Sequence, residues 1–131
     1  MNTDASARVR DGIIIVRAPH RLVAGNRQAM KEHLRSLLAD EWGTVVLNCS
    51  GTVAIDSSAI GALCSVCMRA KETGQNFVLA ELNDDFRTLL SETKLDTLFR
   101  VADEVPPGEM DTWTCLEAYV EAPEGDIKSA G

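Results

Sequence analysis

The hydrophobic residues of this chain follow two different periods in turn, and that alternation predicts an α/β fold. A short apolar run at residues 44–49 is typical of a central buried strand, and residues 77–82 are expected to form the next strand. Residues 9–17 are expected to form two short strands around a turn at Asp11-Gly12, a dipeptide favoured in hairpins. Strands that alternate with helices indicate right-handed crossovers. We therefore expect a mixed, mostly parallel sheet of about five strands with about four helices.

Four segments carry apolar residues at intervals of three or four, which is the spacing of one helix face. The clearest is residues 57–73, which a glycine follows, as is common where helices end. Asn26 and Asn83 are predicted to cap two further helices. A last strand is expected near Val101, and a last helix from about Asp111.

The charge balance restricts the classes of partner. Lys and Arg number 13 against 20 Asp and Glu, which gives a formal net charge of -7. Binding to nucleic acid or to anionic lipid requires a basic surface, so we expect neither. No apolar run is long enough to cross a bilayer, and residues 1–10 lack the apolar core of a signal peptide. We expect a cytoplasmic protein with one domain over residues 1–121 and a flexible tail over residues 122–131.

The usual enzyme motifs are missing from the sequence. There is neither a Gly-rich phosphate-binding loop nor a nucleophile elbow. His33 falls on an apolar helix face, where a position at the edge of the core is more expected than a ligand. Cys64 and Cys67 have the spacing of metal ligands, but Cys49 and Cys115 supply no second pair. We expect buried, reduced thiols, no metal, no cofactor and no catalytic residue.

One polar segment lies between a predicted strand and a predicted helix. It reads I-D-S-S-A-I-G over residues 55–61 and places a carboxylate next to two hydroxyl groups. Parallel sheets bind ligands and partners at the carboxyl ends of their strands. The residues alone leave two interpretations open: Asp56 and the serines only cap the helix, or the segment also contacts a partner.

This segment and two later ones resemble the STAS domain family of bacterial anti-sigma factor antagonists. The family pattern is an apolar strand, a short loop and then D-S-[ST]-G-L-G at the start of a helix. The corresponding stretch here is V-V-L-N-C-S-G-T-V-A-I-D-S-S-A-I-G-A-L. The stretches R-A-K-E-T-G-Q-N-F-V-L-A-E-L and F-R-T-L-L-S-E-T-K-L-D-T-L-F-R-V follow in the family's order. Ala59 departs from the family's glycine, and residues 17–22 replace a common Gly-Glu-Leu-Asp.

The resemblance implies a switch component and assigns its residues. Ser57, directly after Asp56, is the serine that the family phosphorylates, with Ser58 as the second choice. Asp56, Ser57, Ser58, Gly61 and Ala62 are expected to contact the partner. That partner is an anti-sigma factor that is also a serine kinase. The unmodified protein binds it and frees the sigma factor, and a metal-dependent serine phosphatase removes the phosphate. The small helix residues would serve equally well in packing against the sheet, so that alternative stays open.

Other members of the family have other partners. Some STAS proteins are accessory subunits of lipid-transport ATPases, and others are scaffold subunits of stress-signalling assemblies. A small-molecule binder is a fourth interpretation, in which the helix of Cys64 and Cys67 lines a pocket, although the sequence shows no polar cluster to anchor a ligand. The phosphorylatable binding module, which is not an enzyme, is the leading interpretation.

Overall fold

The alternation of apolar runs and helical faces leads to a parallel sheet with helices packed on it. The computed structural model describes residues 12–111. In chain order the elements within that range are β1 (Ile13–Arg17), β2 (Arg21–Leu22), α1 (Arg27–Ala39), β3 (Thr44–Asn48), β4 (Ala54–Ile55), α2 (Ser57–Glu72), β5 (Asn76–Ala80), α3 (Asp84–Glu92), β6 (Arg100–Ala102) and β7 (Glu109–Met110).

The main sheet is parallel at every pairing between the described strands. Its strand order is β6-β5-β3-β1-β7, so β3 lies at the centre. Val45, Val46 and Leu47 of β3 have no exposed surface. Such a run is expected in a central parallel strand, because both of its faces are covered. The predicted α/β fold with a mostly parallel, five-stranded sheet is confirmed.

The core lies between the sheet and the helices. Leu34 of α1, Leu63 of α2 and Phe86 of α3 belong to one buried cluster with side chains of the strands. The side chains of Ile15 and Val46 lie on the opposite face of the sheet, where they form a smaller cluster. The three described helices therefore cover one face of the sheet. Each helix begins after a strand has ended, so all three begin near the carboxyl ends of the strands.

A second sheet of only two strands stabilises the segment before α2. Strand β2 pairs with β4 in parallel, with Arg21 opposite Ala54 and Leu22 opposite Ile55. This pair joins the connector after β1 to the polar segment that the sequence singled out. The start of α2 is thereby held from two parts of the chain.

The sequence pattern does not predict the short strands β2, β4 and β7. Two residues are too few to show a period of two. The strand expected near Val101 is present as β6, but it is not the last strand, because β7 follows the Pro106-Pro107 break and pairs in parallel with β1. A Cβ on Gly108 would lie 2.8 Å from the carbonyl oxygen of Ile13, so glycine permits this close approach.

Some predictions fall on residues that the structure does not describe. The strand at Ile13–Arg17 is present, whereas the first strand of the expected hairpin, before the turn at Asp11-Gly12, lies outside the described range. The helix expected from about Asp111 and the tail over residues 122–131 also lie outside it. Three of the four expected helices are among the described residues.

The predicted cap at Asn26 is wrong. Asn26 occupies the position before α1, but its side chain makes no cap hydrogen bond. Its Oδ1 accepts from the backbone N–H of Val23 at 3.0 Å, and its Nδ2 donates to the carbonyl of Arg21 at 2.6 Å. The side chain is wholly buried, so it stabilises the connector between β2 and α1 instead of the helix end.

The described cysteines and His33 behave as structural residues. Cys49 and Cys67 are buried, Cys64 is half-buried, and all three are free thiols; the fourth cysteine is outside the described range. Burial raises the pKa of the Cys49 thiol to about 12, so it is protonated at neutral pH. His33 Nε2 lies 2.8 Å from Asp111 Oδ2 at the edge of the core, which agrees with the predicted boundary position.

One buried amide side chain should have a measurable effect on stability. Gln75 donates from Nε2 to the carbonyls of Leu38, at 3.0 Å, and Trp42, at 2.6 Å, and is 7% exposed. We expect Gln75→Leu to lower the free energy of unfolding by about 1–3 kcal/mol, because both carbonyls lose this donor in a buried place. Urea denaturation measures the loss. The matched variant Gln28→Leu, at an exposed position, should change stability by less than about 0.5 kcal/mol; equal effects of the two would contradict the assignment.

Candidate functional site

The candidate site is the segment that leaves the central strand and enters α2. Strand β3 ends at Asn48, and α2 begins at Ser57. The backbone N–H of Val53 donates to the His20 carbonyl at 2.7 Å, and that of Asp56 donates to the Leu22 carbonyl at 3.2 Å. These hydrogen bonds hold the segment at the carboxyl edge of the sheet, where parallel sheets bind their partners.

The Asp56 carboxylate connects three separate groups. Its Oδ1 accepts from the backbone N–H of Ala59 at 2.9 Å and from Ser58 Oγ at 2.7 Å. Its Oδ2 accepts from the backbone N–H of Ala24 at 3.1 Å, in the connector before α1. The side chain therefore caps α2 and also attaches the neighbouring connector to the helix start.

The same contacts keep Asp56 ionised. Partial burial alone would raise its pKa, but hydrogen bonds from Ser58, Ala59 and Ala24 to the charged form outweigh that effect, and the pKa is lowered. A negative charge at this place is favourable, because the N-terminus of a helix carries positive partial charge. The interpretation of Asp56 as a helix cap is confirmed, and the contact with Ala24 is additional to it.

The two serines differ in what their hydroxyl groups do. Ser58 is half-buried, and its hydroxyl donates to Asp56. Ser57 is the first residue of α2, is exposed, and within residues 12–111 its hydroxyl has no hydrogen-bond partner. The cap is complete without Ser57, so its oxygen is available to a visiting protein.

The next two small residues of α2 also lie at this surface. Gly61 is exposed, and a Cβ built on it would meet no atom within 4 Å. Packing inside the chain therefore does not require glycine there, which favours the interpretation as a contact surface over that of helix packing. Of the small residues expected to contact the partner, Ala62 and Ser58 are half-buried and Gly61 is exposed.

Several residues of the site escape sequence reasoning. Asn83 caps α3 as predicted, accepting from the N–H of Phe86 at 2.8 Å, but its Nδ2 also donates to the Thr52 carbonyl at 2.9 Å. Thr52 is buried, and its Oγ1 donates to the Pro19 carbonyl at 2.9 Å. The capping signal of Asn83 is readable locally, whereas its long-range partner becomes visible only in the folded chain.

Residues 12–111 hold neither a cluster of metal ligands nor a membrane-spanning helix. These residues contain no group of three or more His, Cys, Asp or Glu side chains placed to hold a metal ion. None of the described helices is long and apolar enough to cross a membrane. The chemistry that the described site offers is hydrogen bonding and charge, from one carboxylate and one free hydroxyl group.

The described residues form a parallel α/β domain with an exposed serine at the start of α2. The chain belongs to the STAS domain family, whose sequence profile matches residues 4–106. The resemblance noted from the sequence motifs is thereby confirmed.

Solved structures with the same fold come from two functional settings. A proposed anti-sigma factor antagonist from Thermotoga maritima is 22% identical, with a TM-score of 0.63, over 70% of this chain and 80% of that chain. A sulfate transporter family protein from Wolinella succinogenes is 18% identical, with a TM-score of 0.60, over 74% and 81%. The murine anion transporter Slc26a9 is 16% identical, with a TM-score of 0.62, over 88% of this chain and 18% of the transporter. At such identities these likenesses establish the fold alone.

The cap at Asp56 predicts a pH-dependent loss of stability. Because the folded-state pKa of Asp56 is lowered, its contribution is present above the ordinary carboxyl pKa of 3.8 and is lost as the pH falls through the folded-state value. We expect Asp56→Ala to reduce the free energy of unfolding at pH 7 by about 0.5–2 kcal/mol.

Denaturation from pH 7 down to pH 3 measures this effect. The difference between wild type and Asp56→Ala should shrink at the acid end, while Asp96→Ala, at an exposed position, should differ little from wild type throughout. A difference that stays constant with pH would show that the charge of Asp56 contributes nothing to the cap.

Proposed function

We propose that this chain is a phosphorylatable binding module in a partner-switching pathway of the cytoplasm. Unmodified, it binds an anti-sigma factor that is also a serine kinase; phosphorylated on Ser57, it dissociates. The observation that carries this proposal is the free, exposed hydroxyl group of Ser57 beside a cap that Asp56 completes without it. A serine needed only for capping would have its hydroxyl engaged, as that of Ser58 is.

The start of α2 is suited to carry a phosphate group. The helix has 16 residues, so its N-terminal N–H groups and its dipole favour an anion. The hydrogen bonds that hold the segment come from the backbone and from the side chains of Asp56, Thr52 and Asn83, and none uses the Ser57 oxygen. Modification would therefore leave the local structure intact, as a reversible signal requires.

The same phosphate would oppose close contact with a partner. It adds about 1.5 to 2 negative charges next to the ionised Asp56. A partner that packs over Gly61 would have to remove water from this group without supplying new ligands to it. Desolvation and like-charge contacts of this kind cost up to several kcal/mol, and each 1.4 kcal/mol weakens binding about tenfold. The phosphate acts as a local switch that needs no refolding.

The remaining parts of the proposed pathway are the kinase and a metal-dependent serine phosphatase that removes the phosphate. A second function, as accessory subunit of a lipid-transport ATPase, uses the same surface without modification. The two functions differ in one observable: the first requires a phosphate on Ser57, whereas the second requires a stable complex with an ATPase subunit and no phosphate.

Phosphorylation assays test the proposal directly. The protein is to be incubated with candidate anti-sigma serine kinases and ATP. Mass spectrometry of the peptide that contains residues 56–69 then locates the phosphate. Wild type and Ser58→Ala should be phosphorylated on Ser57, because Ser58 is engaged with Asp56, and Ser57→Ala should carry no phosphate. Phosphate on Ser58 instead of Ser57 would assign the regulatory position to Ser58. Recovery of an ATPase with no phosphopeptide would favour the transport function.

Binding measurements test how the switch acts. Calorimetry with the kinase that modifies the protein should give similar affinities for wild type and Ser57→Ala, and an affinity at least about tenfold lower for Ser57→Asp, for the electrostatic reason above. Ser36→Asp adds the same charge at an exposed position of α1 and should bind like wild type. Equal affinities of Ser57→Asp and Ser36→Asp would remove the proposal.

A further inference from the structure

An open groove lies beside the candidate site. It is formed between residues 52–55, which lead into α2, and helix α3, and its volume is about 390 Å³. Ser57 is not among the residues that line it. The groove is therefore a feature distinct from the proposed phosphorylation position, although both lie on the same segment of the chain.

Half of the residues that line the groove are apolar, namely Val53, Ala54, Ile55, Phe86 and Leu89. Phe86 is buried and forms part of the lining, and Ile55 and Leu89 are half-buried beside it. Val53 lies at the groove with 66% of its surface exposed, the largest exposed fraction among the large hydrophobic residues described. Val53, Ile55 and Leu89 line the same groove, and apolar side chains grouped in this way mark interaction surfaces, whereas a single exposed one does not.

The two walls of the groove are fixed relative to each other. Asn83 at the start of α3 donates to the carbonyl of Thr52, and the backbone of Val53 is bound to the His20 carbonyl. Neither wall has to be ordered when a partner binds, so little of the binding energy is lost to conformational entropy.

The rim of the groove is acidic. Asp85 and Glu92 line it from α3, both side chains are exposed, and none of the lining residues is basic. The nearby Arg87 is directed to Asp103 at 3.3 Å instead. Asp85 and Glu92 are seven residues apart, two helical turns, which places them about 10 Å from each other on one side of α3.

We propose that this groove binds a protein segment that inserts an apolar side chain between two basic residues. An amphipathic helix with Lys or Arg at positions i and i+7, and Leu or Ile between them, matches the spacing of Asp85 and Glu92 and the apolar floor. The inference deepens the proposed function and rests on it in one respect, that the chain is a binding module. It names the chemistry of the partner: a basic segment with an apolar anchor.

Paired peptides test this chemistry. Two helical peptides of about 15 residues share the same apolar positions and carry either Lys or Glu at i and i+7. In an NMR titration, the Lys peptide should shift the amide signals of Val53 and of residues 85–92, and bind about tenfold more tightly than the Glu peptide, since two attractive contacts replace two repulsive ones. Equal affinities, or shifts confined to other surfaces, would overturn the proposal.

Variants of the rim separate the groove from the overall negative charge. Asp85→Lys combined with Glu92→Lys should reverse the preference in favour of the Glu peptide. Glu32→Lys combined with Asp96→Lys makes the same change of net charge elsewhere and should keep the preference for the Lys peptide. If both double variants weaken Lys-peptide binding equally, the attraction is non-specific and the groove is not the site.

A variant of the apolar part completes the test. Val53→Asn should weaken binding of the Lys peptide at least about threefold, through loss of apolar contact, while the melting temperature stays unchanged because the side chain is exposed. Peptide binding without phosphorylation of Ser57 would support the groove and refute the switch. Phosphorylation of Ser57 with no peptide binding would support the switch and refute the groove.

Discussion

The Asp56 carboxylate is the interaction on which the geometry of the site depends. It receives hydrogen bonds from the first turn of α2, from the Ser58 hydroxyl and from the connector before α1. These contacts lower its pKa and keep it charged at the helix start. Asp56 provides the side-chain cap of α2, and the hydroxyl group of Ser57 is left exposed and unengaged. The proposed function depends on this difference: Asp56 caps the helix, and Ser57 remains free to be modified.

The fold supports this division by fixing the backbone on both sides. The pair β2–β4 and the hydrogen bond from Asn83 to Thr52 attach the segment before α2 to two other parts of the chain. A surface held in this way is arranged for binding before a partner arrives, which limits the entropy lost on association. The same attachments hold Ser57, a polar residue, and Val53, an apolar one, in fixed positions on one segment of the surface.

The sequence predicted the features that have a long period or a local signal. The central strand, helix α2 and the cap at Asn83 are of this kind, since apolar periodicity and capping residues are local properties. The two-residue strands have no periodicity, and the side chain of Asn26 turns to the connector for reasons that lie in tertiary contacts. Which of the two serine hydroxyl groups is engaged with Asp56 depends on side-chain direction, and the groove depends on two segments meeting, so neither was readable from the order of residues.

A phosphate on Ser57, the first residue of α2, should leave the structure around it folded. Amide hydrogen exchange of the enzymatically phosphorylated protein, compared with the unmodified one, measures this residue by residue. We expect protection in α2, β3 and the connector around Ala24 to remain unchanged, with NMR shifts limited to residues near Ser57. Loss of protection along the first turns of α2 would contradict the claim, because the phosphate would then act by unfolding the site.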